Sequence, residues 1–152
     1  MIPGAPQAID ATPPGVSPAG PHLTPAEEVF VVRPFRPSDM AYVRDSWLRA
    51  AWDVENKRLK SNRVAQKVRV LAGNAWYATN RPAATRNIEA PDVLILVAVD
   101  KNDDDHIAGW LAVRAGRKIG GAIKQAYRRD QNGVSWGVGE MLTKAAGLEA
   151  SW

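Results

Sequence analysis

Residues 93–99 read Val-Leu-Ile-Leu-Val-Ala-Val, seven apolar residues without interruption. The run has the length of a strand, and a strand that is apolar at every position must be covered on both faces. This requirement constrains the chain more than any other feature. Within 152 residues the sequence has to supply one central strand and a packing layer for each of its sides. Residues 107–113, Ile-Ala-Gly-Trp-Leu-Ala-Val, provide a second strand, and the polar stretch 100–106 between them predicts an antiparallel hairpin.

The flanking segments predict the rest of the sheet and its cover. Residues 29–33, Val-Phe-Val-Val-Arg, are β-branched and aromatic and end at Pro34, so they read as a strand. A weaker strand is expected over 121–127. Pro37-Ser38-Asp39 reads as a helix start with Ser38 as N-cap. Met40, Val43, Trp47 and Ala51 then fall on one face of a helix expected to end near Trp52. A second helix is expected from Asn56 to Gly73, with Val64, Val68 and Leu71 as its apolar stripe and Gly73-Asn74 as its stop. Residues 74–90 read as a long loop, broken by Asn80, Pro82 and Thr85. Val138, Met141, Leu142, Ala145 and Ala146 mark a last amphipathic helix opening at Gly137. The expected class is α+β: a mostly antiparallel sheet of about four strands with two to three helices.

Proline divides the chain. Seven of its 11 prolines lie in the first 25 residues, Pro13, Pro14 and Pro18 among them. Proline fixes φ and lacks an N–H, so this stretch is expected to form an extended arm that cannot hold itself and docks on a neighbouring subunit. The domain boundaries read as an arm over 1–28 and a folded domain over 29–152. No signal peptide is expected, because the start is neither basic nor apolar. No apolar run approaches the roughly 20 residues that span a bilayer, so no membrane partner is expected.

Several chemistries are excluded. The chain has no cysteine, which removes disulfides, thiolate metal sites and cysteine nucleophiles. It has two histidines, His22 and His106, too few for a histidine metal site or a catalytic triad. Asp103, Asp104 and Asp105 lie together but lack the glycine and closing glutamate of a calcium loop, so no metal is expected. The formal net charge is +4. Lys57, Arg58, Lys60, Arg63, Lys67 and Arg69 cluster on the second helix, either as a solvated face or as a contact for acidic protein or nucleic acid. Nucleic acid is the less favoured partner, since no aromatic interleaving accompanies the charges. Of the six tryptophans, Trp76, Trp136 and Trp152 are candidate interface residues beside a sheet edge.

Five pieces carry a resemblance, in order, over about 120 residues. They are Val31-Val32-Arg33-Pro34-Phe35-Arg36-Pro37-Ser38-Asp39; Asp45-Ser46-Trp47-Leu48; the hairpin from Val97 to Trp110; Ala126-Tyr127-Arg128-Arg129; and Trp136-Gly137-Val138-Gly139-Glu140-Met141-Leu142. Together they resemble the first part of the GNAT N-acetyltransferase fold, and most of all the short GNAT-like proteins of tailed bacteriophages. The resemblance implies an acetyl-CoA motif at Arg128, Arg129, Gly137, Val138 and Gly139. In that family, glycine amides at a helix start and a neighbouring arginine hold the pyrophosphate.

Two departures set the expected function. Residues 130–135 are inserted between the arginines and Trp136 and are expected to separate them from the helix start, and Asp130 repels phosphate. The later strands of the family, which form the other wall of the cofactor cleft, are not in this sequence. The leading expectation is therefore a non-catalytic, virion-associated bacteriophage structural protein with a vestigial cofactor motif, no catalytic residue and no bound cofactor. Such a protein resides in the virion, or in the host cytoplasm before assembly. The alternative is an acetyl-CoA-dependent N-acetyltransferase.

Overall fold

Two tight turns set the register of the sheet. The computed structural model describes residues 25–129 and 132–148. β2 (Val93–Asp100) and β3 (Asp103–Arg114) are joined by Lys101 and Asn102, with Asp100 opposite Asp103. The Asp100 carboxylate accepts the Asn102 N–H at 2.8 Å and closes this turn. β3 and β4 (Arg117–Ile123) are joined by Ala115 and Gly116, whose φ angles are 52° and 73°. Positive φ at both central residues matches the right-handed twist of the strands, and glycine supplies one of them without strain. This turn starts β4 at Arg117, four residues before the expected position, because turn geometry outranks the weak β-pattern of residues 121–127. β1 (Phe30–Pro34) pairs antiparallel with β2 on the other side, from Phe30–Asp100 to Pro34–Leu96. The result is one open antiparallel sheet in the order β1-β2-β3-β4, within an α+β fold.

β2 is covered on both faces, as its composition demands. Leu96 and Ala98 face α4 (Val138–Ala145), together with Phe30, Leu111, Val113, Val138 and Leu142. Ile95, Val97 and Val99 face the opposite layer, together with Val43, Ile88, Ile107 and Trp110. That layer consists of α2 (Met40–Ser61) and α3 (Gln66–Glu89).

Both of these helices are longer than expected. α2 runs nine residues past Trp52 to Ser61. The turn then places Arg63 at φ 60°, and the Val64 N–H reaches back to the Leu59 carbonyl. α3 passes straight through Gly73, Asn74 and Pro82, so the expected loop over 74–90 is helical almost to its end. Gly73 is there for approach, not termination. A Cβ at this position would lie 3.0 Å from the Trp52 ring of α2. The expected stripe of Val68 and Leu71 is exposed, because this part of α3 lies beyond the sheet. The buried residues of α2 are Val43, Ser46 and Leu48, those of α3 are Gly73, Ala84 and Ile88, and no residue from 49 to 72 is buried. Only the first part of α2 and the last part of α3 therefore pack on the sheet.

The boundary at residue 28 also moves. Pro25–Val29 forms a short helix, α1. Ala26 is fully buried, and its N–H donates to the Trp136 carbonyl at 2.9 Å. Pro25 stands at the first helical position, where a missing N–H costs nothing, so the proline argument for an extended arm fails for residues 25–28. The remainder of the expected arm, with Pro13, Pro14 and Pro18, lies outside the described residues, as does Trp152.

One buried ion pair ties the sheet to α2. The Arg33 guanidinium donates to both carboxylate oxygens of Asp39, at 2.7 and 2.9 Å, and to the Asp104 carbonyl at 2.9 Å. Asp39 also accepts the Arg36 N–H at 2.8 Å. Sequence pattern marked Ser38 as the cap. The buried carboxylate at the helix start is Asp39, and Ser38 is exposed.

Candidate functional site

A hollow lies between the outer strand β4 and the start of α4. It is an open cleft of about 630 Å³. Its walls include Gly121 and Ile123 of β4, Arg128 and Arg129 of the following segment, and Val138 and Gly139 of α4. The sequence-marked residues Arg128, Arg129, Val138 and Gly139 thus come together, with Gly137 immediately before them as the N-cap of α4.

They meet because the insertion closes on itself. Arg129 and Ser135 form an antiparallel bridge, and the Arg129 guanidinium donates to the Gly133 carbonyl at 2.8 Å. Gly133 has φ 78°, which lets the chain reverse. The inserted residues therefore do not separate the arginines from the helix start. The expectation of separation overlooked how little distance a closed loop adds between its ends. Arg128 is exposed and donates through Nε to the Ile123 carbonyl at 3.1 Å.

The start of α4 is partly occupied by the chain itself. Gly137 adopts φ 87°, and its N–H donates to the Ser135 hydroxyl at 3.1 Å. Glu140, in the first turn, lines the cleft and complements the positive end of the helix dipole. Lys118 contributes a further cation. It is exposed overall, yet desolvation holds its ammonium below the ordinary lysine pKa. Among the described lining residues three cations stand against one carboxylate, an excess suited to an anionic group, while the first backbone donor is already used.

Behind the cleft stands an aromatic cluster. Tyr127, on the cleft wall, meets Phe30 and Trp136 edge-on, at 4.9 and 5.5 Å between ring centroids. Its hydroxyl lies 2.9 Å from His106 Nε2. Trp136 is half-buried in this cluster, and Trp76 is half-buried against Trp52 and Tyr77. Both expected interface tryptophans therefore have partners within their own chain.

Sequence reading missed Ser135, Glu140, Lys118 and the Tyr127–His106 pair. A serine two residues before a glycine that opens a helix was the one available signal. The other residues, on β3, β4, the segment after β4 and α4, become neighbours only through tertiary packing. No cluster of three or more metal-ligating side chains occurs among the described residues. No helix among them is long and apolar enough to cross a membrane. No family model matches the chain, and no curated protein or solved structure matches it.

Proposed function

We propose that this chain is a GNAT-like, non-catalytic docking protein, a structural subunit of a bacteriophage particle. The observation that carries the non-catalytic part is the state of the α4 start: Ser135 takes the Gly137 N–H, and Glu140 faces the cleft where a pyrophosphate would lie. A carboxylate there repels phosphate, and a capped amide cannot serve it without losing its present partner. After the short α1, the element order of strand, two helices, three strands and helix is the order the resemblance implies, and it supports a GNAT-like origin. The virion assignment rests on the resemblance and on the proline content of residues 1–25.

A second reading, an acetyl-CoA-dependent N-acetyltransferase, is favoured by the closure that brings Arg128 and Arg129 to the helix start. Calorimetry separates the two. The full chain is expected to show no acetyl-CoA binding tighter than about 10 μM, roughly 7 kcal/mol. A tighter constant, with thiol release in the presence of amines, would establish the transferase instead. Ser135→Ala with Glu140→Gln is expected to strengthen any residual binding.

Docking is tested in particles. Deleting residues 1–24 is expected to leave the thermal midpoint nearly unchanged and to reduce incorporation. Equal incorporation of the shortened and full chains would remove the arm from the proposal.

A further inference from the structure

The free end of the α2–α3 hairpin holds no buried residue and lies beyond the sheet. Yet residues 54–71 carry six cations, Lys57, Arg58, Lys60, Arg63, Lys67 and Arg69, against the single carboxylate Glu55. The excess of five charges is larger than the net +4 of the whole chain, so the rest of the protein is slightly acidic. Arg58 is paired with Glu55 at 2.6 Å, and Arg69 donates to Asn56 and to the Val64 carbonyl. Lys57, Lys60, Arg63 and Lys67 are exposed, and no carboxylate among the described residues pairs with them.

Aliphatic side chains stand among these charges. Val54, Val68, Val70 and Leu71 are 54–71% exposed. Isolated exposed valines need no explanation, but Val70 and Leu71 border hollows. One, of about 470 Å³, is lined by Gln66, Lys67, Val70 and Leu71. The other, of about 310 Å³, lies between the helices, with Trp52, Arg69 and Tyr77 in its wall. Val70 lines both and forms the ridge between them.

We propose that this hairpin end is a docking surface for an acidic amphipathic helix of another protein. The occupant follows from charge complementarity and shape. A partner must bring carboxylates for the four exposed cations and apolar side chains for the hollows on either side of Val70. An amphipathic helix does both, with anchors at i, i+3, i+4 and i+7 inserted into a groove. A second copy of the same surface is opposed by like charge. Duplex nucleic acid would satisfy the cations and leave the aliphatic ridge in water, since its binding is dominated by phosphate contacts.

The probe is a fluorescein-labelled synthetic helix of about 18 residues, with leucines at that spacing and glutamates on the other face. Polarisation with the full chain is expected to give micromolar affinity that weakens as salt rises. Lys57→Glu with Lys60→Glu and Lys67→Glu is expected to weaken it at least tenfold, about 1.4 kcal/mol. Val70→Ser with Leu71→Ser is expected to do the same at constant salt. Both variants alter exposed positions, and an unchanged thermal midpoint shows that the fold is intact. Equal binding of a peptide with the same composition but scattered leucines would overturn the proposal. Tighter binding to duplex DNA or to phosphatidylglycerol vesicles would also overturn it.

The inference rests on the docking reading but fails separately from it. Lost peptide binding with normal particle incorporation sinks the hairpin surface alone. Peptide binding that obeys the variants, in a chain that never enters particles, supports the surface and removes the virion.

Discussion

Asp39→Ala is expected to destabilise the fold by about 3–5 kcal/mol, the usual consequence of leaving one member of a buried ion pair without its counter-charge. Arg33 and Asp39 are only 8% and 3% exposed, so water cannot replace the lost carboxylate. The variant also strands the Arg36 N–H and loosens the Arg33 guanidinium, which joins β1 to the start of β3 through the Asp104 carbonyl. Chemical denaturation measures the loss, and a cost below about 1 kcal/mol would mean that solvent screens the pair. Asp39→Asn separates charge from shape, since it keeps the volume and removes the charge.

The same pair predicts a pH dependence. Desolvation pushes the Asp39 carboxyl upward, but the Arg33 hydrogen bonds, the Arg36 N–H and the two guanidinium charges together outweigh it and hold the group below the ordinary aspartate value. A carboxyl depressed in the folded state binds fewer protons there than in the unfolded chain. Its contribution is complete above the unfolded pKa, about 4, and disappears as pH falls through the folded value. The wild-type chain is therefore expected to lose stability on acidification below about pH 4, and Asp39→Ala is expected to lose less over the same interval.

Trp110→Ala is expected to cost a similar amount, about 3–5 kcal/mol, for a different reason. Trp110 is fully buried on the side of β3 that faces α2 and α3, and its ring packs against Trp47 with centroids 5.4 Å apart. Its indole N–H donates to the buried Ser46 hydroxyl at 3.0 Å. Truncation opens a cavity that three elements cannot close together. A Cβ on Gly120 of β4 would lie 2.9 Å from the Trp47 ring, so strand and helix already touch through this cluster. Trp110→Phe isolates the hydrogen bond, because it fills most of the space and leaves Ser46 without its donor. Thermal denaturation of both variants gives the comparison, and equal midpoints for wild type and Trp110→Ala would show that the cluster carries no packing energy.

The cleft was only half legible. Arg128, Arg129 and Gly137–Gly139 are close in sequence, and the motif that the resemblance implies picks them out. Whether they meet depended on the inserted loop. Its bridge between Arg129 and Ser135 is a matter of backbone hydrogen bonds and the positive φ of Gly133, and side-chain pattern says little about either. The same closure that assembles the arginines places Ser135 on the Gly137 amide. One folding event thus supplies both the argument for an anion site and the argument against a working one.

The sequence by itself determined the central hairpin, the α+β class, the position of α4 and the absence of cysteine chemistry. Each follows from composition or periodicity within about a dozen residues, where local apolar pattern reports directly on burial. Tertiary structure alone decided the lengths of α2 and α3, the start of β4 and the fate of residues 25–28. Gly73 and Pro82 are breakers by local propensity, but Trp52 packs against Gly73, and contacts of that kind outweigh a penalty of about 1 kcal/mol for one glycine. Val68 and Leu71 keep the spacing of a buried stripe on a stretch of helix that extends past the sheet, where nothing in the same domain covers them. Periodicity specifies which side chains share a face. Only the length of the helix relative to the sheet specifies whether that face meets a core or water.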